Sequence, residues 1–211
     1  MVKLVIFDLD QTLINTLPRF YRIFNQSLEK FRCEPVEWDV FVRKYHEDTL
    51  NNFVCVDVKT FWDYFLRHYN DIPCEEDKLI DGALETLKRL KDKGIKVVIT
   101  TGRIIPREKI WEELRKYGID IYVDEVFTRY DYYGDGKRRN EMLLHAMEEF
   151  HAKPKETIFV GDYWPDMVSG KEAGVFTVGV LTGHENEEKL KKYGADVVIE
   201  SVAELFNVID E

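Results

Sequence analysis

Two carboxylates stand at the end of what should be a buried strand. Leu4, Val5, Ile6, Phe7 and Leu9 form a short apolar run, and Asp8 and Asp10 close it, one residue apart. Alternation along an extended backbone puts both acids on one side, able to converge just beyond the strand. Carboxylates crowded beside a core repel each other unless a cation or a shared proton lies between them, so the pair points to function. Complementary groups close later runs of the same kind: Thr100 or Thr101 with Gly102, then Gly161 and Asp162 with Asp166 four residues on. Lys137 follows Gly134-Asp135-Gly136 on the loop after a third such run, and Thr12 follows the first pair. Carboxylates, a hydroxyl and one amine at the C-terminal ends of parallel strands would suit a phosphoryl group and a hard divalent cation. Magnesium, which prefers oxygen ligands, is the expected ion.

The elements that must position these residues are legible in the pattern. After Thr12 the chain turns, and residues 15–80 read as all-helical. Phe20, Ile23, Phe24, Leu28 and Phe31 recur at helical spacing, as do Phe61, Trp62, Phe65 and Tyr69, with a further helix over Val36 to Tyr45. These aromatic stripes read as a helical core. Leu79, Ile80, Ala83, Leu84, Leu87 and Leu90 mark one amphipathic helix stopping at Gly94. Strands at 95–101, near 121–128, and at 157–162, 175–181 and 195–199 then alternate with helices. That rhythm predicts an α/β fold, a Rossmann-like parallel sheet with an all-helical domain inserted after the first strand. The expected domains are 1–14 with 81–211 for the core and 15–80 for the helical insertion.

Composition narrows the function. The 211 residues carry a net charge of −10, against nucleic acid as a partner, since phosphate backbones need a basic face. No apolar run reaches membrane-spanning length, and the N-terminus enters the strand without a leader, so a cytoplasmic protein is expected. Cys33, Cys55 and Cys74 are widely spaced without a CxxC pair, which fits a reducing compartment and argues against zinc. Charged residues at 33%, rich in Lys and Glu, hint at a thermophilic source. Oligomeric state is not written in the pattern.

Taken together, these residues resemble the four motifs of the haloacid dehalogenase-like (HAD) superfamily. Asp8-Leu9-Asp10-Gln11-Thr12 is similar to its DxDxT motif, and Val97-Val98-Ile99-Thr100-Thr101-Gly102 to its second. Lys137 sits where the third places its lysine, one helix and one strand before Asp162, and Gly161-Asp162-Tyr163-Trp164-Pro165-Asp166 matches GDxxxD. The inserted helices resemble the C1 cap of phosphoglycolate phosphatase-like members. Gln11 where Gly is commonest, Asn15 where Asp is frequent and Arg138 where Lys-Pro is usual bear on subfamily more than on chemistry. Other readings of single motifs fit less well. A calcium loop counted from Asp8 would put Leu13 at its glycine and Arg19 at its glutamate, and a P-loop around Lys137 would need Gly at Asp131.

The resemblance implies a magnesium-dependent phosphatase acting on a small phosphomonoester through an aspartyl-phosphate. Asp8 would be the nucleophile and Asp10 the acid and base. Thr101 and Lys137 would complete the catalytic set. Thr12, Gly102 and Arg103 would meet the substrate. Asp8, the Asp10 carbonyl, Asp162 and, directly or through water, Asp166 would hold the metal. Hydrolytic dehalogenases lack the second aspartate, so Asp10 points to phosphoryl transfer. The nearest alternative is a phosphomutase acting on a sugar phosphate. A non-catalytic phosphoacceptor domain is more distant, since receiver domains carry the acceptor after their third strand and lack a helical insertion.

Overall fold

A computed structural model describes residues 1–70, 75–132 and 139–210. Two compact units share the chain, one made of Met1–Asn15 with Leu79–Glu211 and the other of Thr16–Lys78. Strands β1 (Leu4–Asp8) and β2 (Ile14–Asn15) precede the second unit, whose helices are α1 (Leu17–Lys30), α2 (Trp38–His46) and α3 (Val58–His68). The chain returns through β3 (Lys78–Leu79) and runs through α4 (Ala83–Asp92), β4 (Lys96–Thr101), α5 (Arg107–Lys116), β5 (Glu125–Thr128) and α6 (Arg139–Glu149). Then come β6 (Thr157–Gly161), α7 (Trp164–Ala173), β7 (Phe176–Val180), α8 (Glu187–Tyr193), β8 (Val197–Ile199) and α9 (Leu205–Ile209).

The α/β expectation holds. Six strands form one sheet in the order β5-β4-β1-β6-β7-β8, and every pairing in it is parallel. The two-residue period of a strand divides the side chains between its faces. Val5, Phe7, Val97, Ile99 and Val160 pack against Leu87 and Leu90 of α4, Ile110 and Leu114 of α5, and Leu205 of α9. Leu4, Ile6, Val98 and Phe159 pack on the other face against Met142 and Leu143 of α6 and Ala173 of α7. From β1 the chain builds outward to β4 and β5, then crosses back to begin β6 on the other side. The ends of β1 and β6 therefore flank the switch point at which open α/β sheets bind ligands.

One helix begins later than its apolar spacing predicts. Leu79 belongs to β3, and the Ile80 N–H donates to the Leu13 carbonyl at 2.9 Å, outside any helix. Gly82 then takes φ +82°, where a Cβ would lie 2.4 Å from that of Ala203. This close approach fixes the start of α4 at Ala83. Leu79 and Ile80 pack on the same core as the helix and so share its periodicity without its backbone.

The helical unit has its own core, in which Phe24, Phe41, Phe61 and Phe65 are buried. The Phe20 ring lies 4.6 Å from Phe65 and 5.4 Å from Tyr45, which is thus a core residue. Arg19 Nε donates to Asp77 at 2.6 Å, tying the first helix of the unit to the segment that leaves it. The cysteine reading needs correction. Cys33 and Cys55 form a disulfide, with Cα atoms 5.6 Å apart. Cys33, just beyond α1, and Cys55, before α3, meet only in the fold, which linear spacing does not reveal. The argument for a reducing compartment from these residues therefore lapses. Cys74 lies outside the described residues. Among the described residues, no helix is long and apolar enough to cross a membrane.

Candidate active site

The site grows from the end of β1. Asp8, its last residue, pairs in register with Thr100 of β4 and so shares that residue's side of the sheet. The chain then turns tightly: the Leu13 and Ile14 N–H groups both donate to the Leu9 carbonyl, and Gln11 adopts φ +62°. That left-handed conformation is the physical reason glycine suits this position better than glutamine. The turn is tied down where Thr182 Oγ1 donates to the Gln11 carbonyl at 2.6 Å.

Asp162 follows β6 directly, and Asp166 lies in the first turn of α7. The Asp166 Oδ2 accepts from the Tyr163 N–H at 3.2 Å, so this acid closes the helix N-terminus as well as facing the site. A Cβ on Gly161 would lie 2.5 Å from that oxygen. The glycine of GDxxxD is therefore demanded by the aspartate four residues after Asp162. Asp162 is gripped on both oxygens. Thr12 Oγ1 donates to Oδ1 at 3.3 Å, and the His184 N–H donates to Oδ2 at 3.1 Å. A Cβ on Gly183 would fall 1.8 Å from that same Oδ2, so the turn after β7 closes on the carboxylate only because the residue is glycine.

Asp8, Asp162 and Asp166 are all buried, and each offers an oxygen within 4.8 Å of the others. Arg139, at the start of α6, donates from Nη2 to Asp8 Oδ1 and places Nη1 2.7 Å from Asp166 Oδ1. Burial pushes the Asp8 carboxyl up to about 7, and the charges of Asp166 and Asp10 add to the rise while Arg139 opposes it. Asp162 is driven well above the usual carboxylate range by burial and then by Asp8 and Asp166. Burial also raises Asp166, against the pull of Arg139. For Arg139, burial disfavours the charge, but Asp166 and Asp8 more than offset it and hold the guanidinium protonated. Among the described residues, one half-buried guanidinium thus touches two of three crowded acids. This donor set, all carboxylate oxygen and short of positive charge, fits a hard divalent ion.

Not every residue expected at the site joins this group. The Asp10 carboxylate is turned to Arg103, whose Nε donates to Oδ2 at 2.8 Å and Nη2 to Oδ1 at 2.6 Å. Arg103 is itself buried and also pairs with Glu113 of α5, Nη1 to Oε2 at 2.5 Å. It thus grips two protein carboxylates, and the Thr12 hydroxyl donates to Asp162. Thr100 is buried, with an Oγ1 that makes no hydrogen bond among the described residues. Thr101 Oγ1 accepts from the Arg103 N–H at 3.2 Å, and Gly102 is exposed beside it. Lys137 lies outside the described residues. Arg139, Glu113, Gly183 and His184 escaped the sequence reading. Only Arg139, two positions beyond Lys137, carried a signal that could have found it.

Comparison with known proteins gives the family. Residues 5–180 match the family model for haloacid dehalogenase-like hydrolases, and the chain belongs to that family. It is 29% identical to a pyrophosphatase, PpaX, of Halalkalibacterium halodurans, over 99% of this chain and 97% of the relative. It is 24% identical to a phosphoglycolate phosphatase of Haemophilus influenzae, over 98% of both chains. Its fold is similar to that of a putative haloacid dehalogenase-like hydrolase from Bacteroides fragilis, with a TM-score of 0.80 at 23% identity. That match covers 97% of this chain and 100% of the other.

Proposed function

We propose that the chain is a magnesium-dependent phosphatase that hydrolyses a small phosphomonoester through an aspartyl-phosphate on Asp8. The observation that carries this reading is the convergence of Asp8, Asp162 and Asp166 with Arg139 at the switch point of a parallel sheet. Magnesium held by Asp8, the Asp10 carbonyl and Asp162, with Asp166 beside them, would supply positive charge against the phosphoryl oxygens.

An Asp8 oxygen attacks phosphorus in line. The bond to the ester oxygen breaks, its electron pair leaves with that oxygen, and the Asp10 carboxyl supplies the proton. Water then attacks the acyl phosphate. Asp10 takes the water's proton, and inorganic phosphate leaves with Asp8 restored. Thr101, whose Oγ1 accepts from a backbone N–H, still has its own hydrogen to donate to a phosphoryl oxygen. Gly102 beside it leaves room for the phosphoryl group. Arg139 offsets the charge of Asp8 and of the substrate, a role Lys137 would share.

The inserted helical domain, residues 15–80, is assigned the selection of the ester. Relatives named as a pyrophosphatase and a phosphoglycolate phosphatase put pyrophosphate and phosphoglycolate in the first substrate panel. Turnover of para-nitrophenyl phosphate with and without magnesium tests the reading. Activity is expected only with the ion and only with Asp8 intact. Turnover that ignores EDTA, or persists in Asp8→Asn, would rule the mechanism out. A requirement for a sugar bisphosphate activator would move the chain to the phosphomutases.

A further inference from the structure

We propose that Arg103 and Glu113 form a positioning pair that holds the Asp10 carboxylate where it can hand its proton to the leaving oxygen. This rests on the phosphatase reading above. Asp10 sits at the turn after β1, and its side chain is 25% exposed. A planar guanidinium holds its carboxylate. Arg103 Nε and Nη2 grip the two Asp10 oxygens side-on at 2.8 and 2.6 Å. A two-point contact of this kind sets the plane of a carboxylate as well as its distance.

The guanidinium is anchored in turn. Its Nη1 and Nη2 donate to Glu113 Oε2 and Oε1 at 2.5 and 3.3 Å, and its side chain is 3% exposed. Glu113 stands on α5 between Ile110 and Leu114, both fully buried against the sheet. Placement therefore passes from the core through α5 and Glu113 to Arg103 and so to Asp10. Each carboxylate oxygen has a second lone pair beyond the one a guanidinium takes, and a proton can sit there. Without Glu113 the guanidinium loses one of its two carboxylate anchors, and the orientation it imposes on Asp10 loosens. Misplacement of an acid by about 1 Å costs on the order of a hundredfold.

The leaving oxygen supplies the test. Phenyl phosphate and para-nitrophenyl phosphate are alike in shape, but phenolate is the more basic leaving group and depends more on Asp10. Their kcat/KM, which reports the steps through departure of that group, is measured with magnesium for the native chain, Glu113→Ala and Arg103→Lys. The lysine keeps the charge and lacks the fork, so one variant is available even if the other folds poorly. Both variants are expected to lose about tenfold or more on phenyl phosphate and no more than about threefold on para-nitrophenyl phosphate. KM should stay within about twofold. Equal losses on the two esters would mean mere structural damage, and unchanged or raised kcat/KM would mean that the pair does not place Asp10. Either result overturns the inference and leaves the phosphatase reading intact. Absence of magnesium-dependent turnover in the native chain would remove both.

Discussion

Replacing Asp8 with Asn should stabilise the metal-free protein while abolishing turnover. Asp8 is buried among Asp166, Asp162 and Asp10, with Arg139 as the cation in contact with it, and its pKa stands at about 7 against an ordinary 3.8. Below pH 4 the acid is protonated in both folded and unfolded chains and makes no difference. Between 4 and 7 the unfolded chain ionises first, so stability falls as pH rises, and above 7 the loss is complete. At about 1.4 kcal/mol per pH unit, the cost at pH 8 is on the order of 4 kcal/mol, with the attraction of Arg139 already included. Asn carries no charge and escapes this cost. Urea unfolding in EDTA at pH 8 should show Asp8→Asn more stable by up to about 4 kcal/mol, and at pH 5 by about a third of that. In a chain of this size the pH 8 difference corresponds to a Tm gain of about 10 °C. Magnesium should narrow the gap, because only the native site gains by binding it tightly. A variant no more stable than the native chain at pH 8, or an advantage that does not grow with pH, would refute this electrostatic picture.

Other consequences follow from the same geometry. Gly183→Ala should push the Asp162 carboxylate from its place and weaken manganese binding by about tenfold or more, read by electron paramagnetic resonance; native affinity would show that the turn yields freely. Arg139→Gln should lower kcat by about a hundredfold or more, since it strips the cation from Asp8 and Asp166. Near-native kcat in steady-state assays would assign that charge elsewhere. Reduction of the Cys33–Cys55 bridge, or Cys33→Ser with Cys55→Ser, should cost the helical unit about 3 kcal/mol for a loop of this length. Denaturant melts with and without reductant measure it, and identical midpoints would show that the bridge does not restrain the unfolded chain.

The sequence was most readable where physics is periodic or local. Alternation in Leu4 to Asp8 placed the central strand and its terminal acid, and helical spacing in Phe20, Phe24, Phe61 and Phe65 located the core of the second unit. Gly161 and Gln11 show why a motif has the letters it has. One position leaves no room for a Cβ, and the other takes a positive φ. What spacing could not show were meetings of distant segments. The ion pairs of Arg103 with Glu113 and Asp10 join a helix and a strand end that are distant along the chain. The Thr12–Asp162 contact joins two strand ends in the same way. Gly183 and His184 belong to no motif, and their grip on Asp162 arises only when β7 lies beside β6. The cysteines misled because spacing along a chain says little about separation in space.

The most direct measurement is to trap the covalent intermediate. The protein is mixed with magnesium and para-nitrophenyl phosphate, quenched in acid within the first turnover, reduced with borohydride and mapped by peptide mass spectrometry. Conversion of Asp8 to homoserine, absent without substrate, is the expected result. Label on another residue, or turnover with no acyl phosphate at Asp8, would contradict the assignment of this carboxylate as nucleophile.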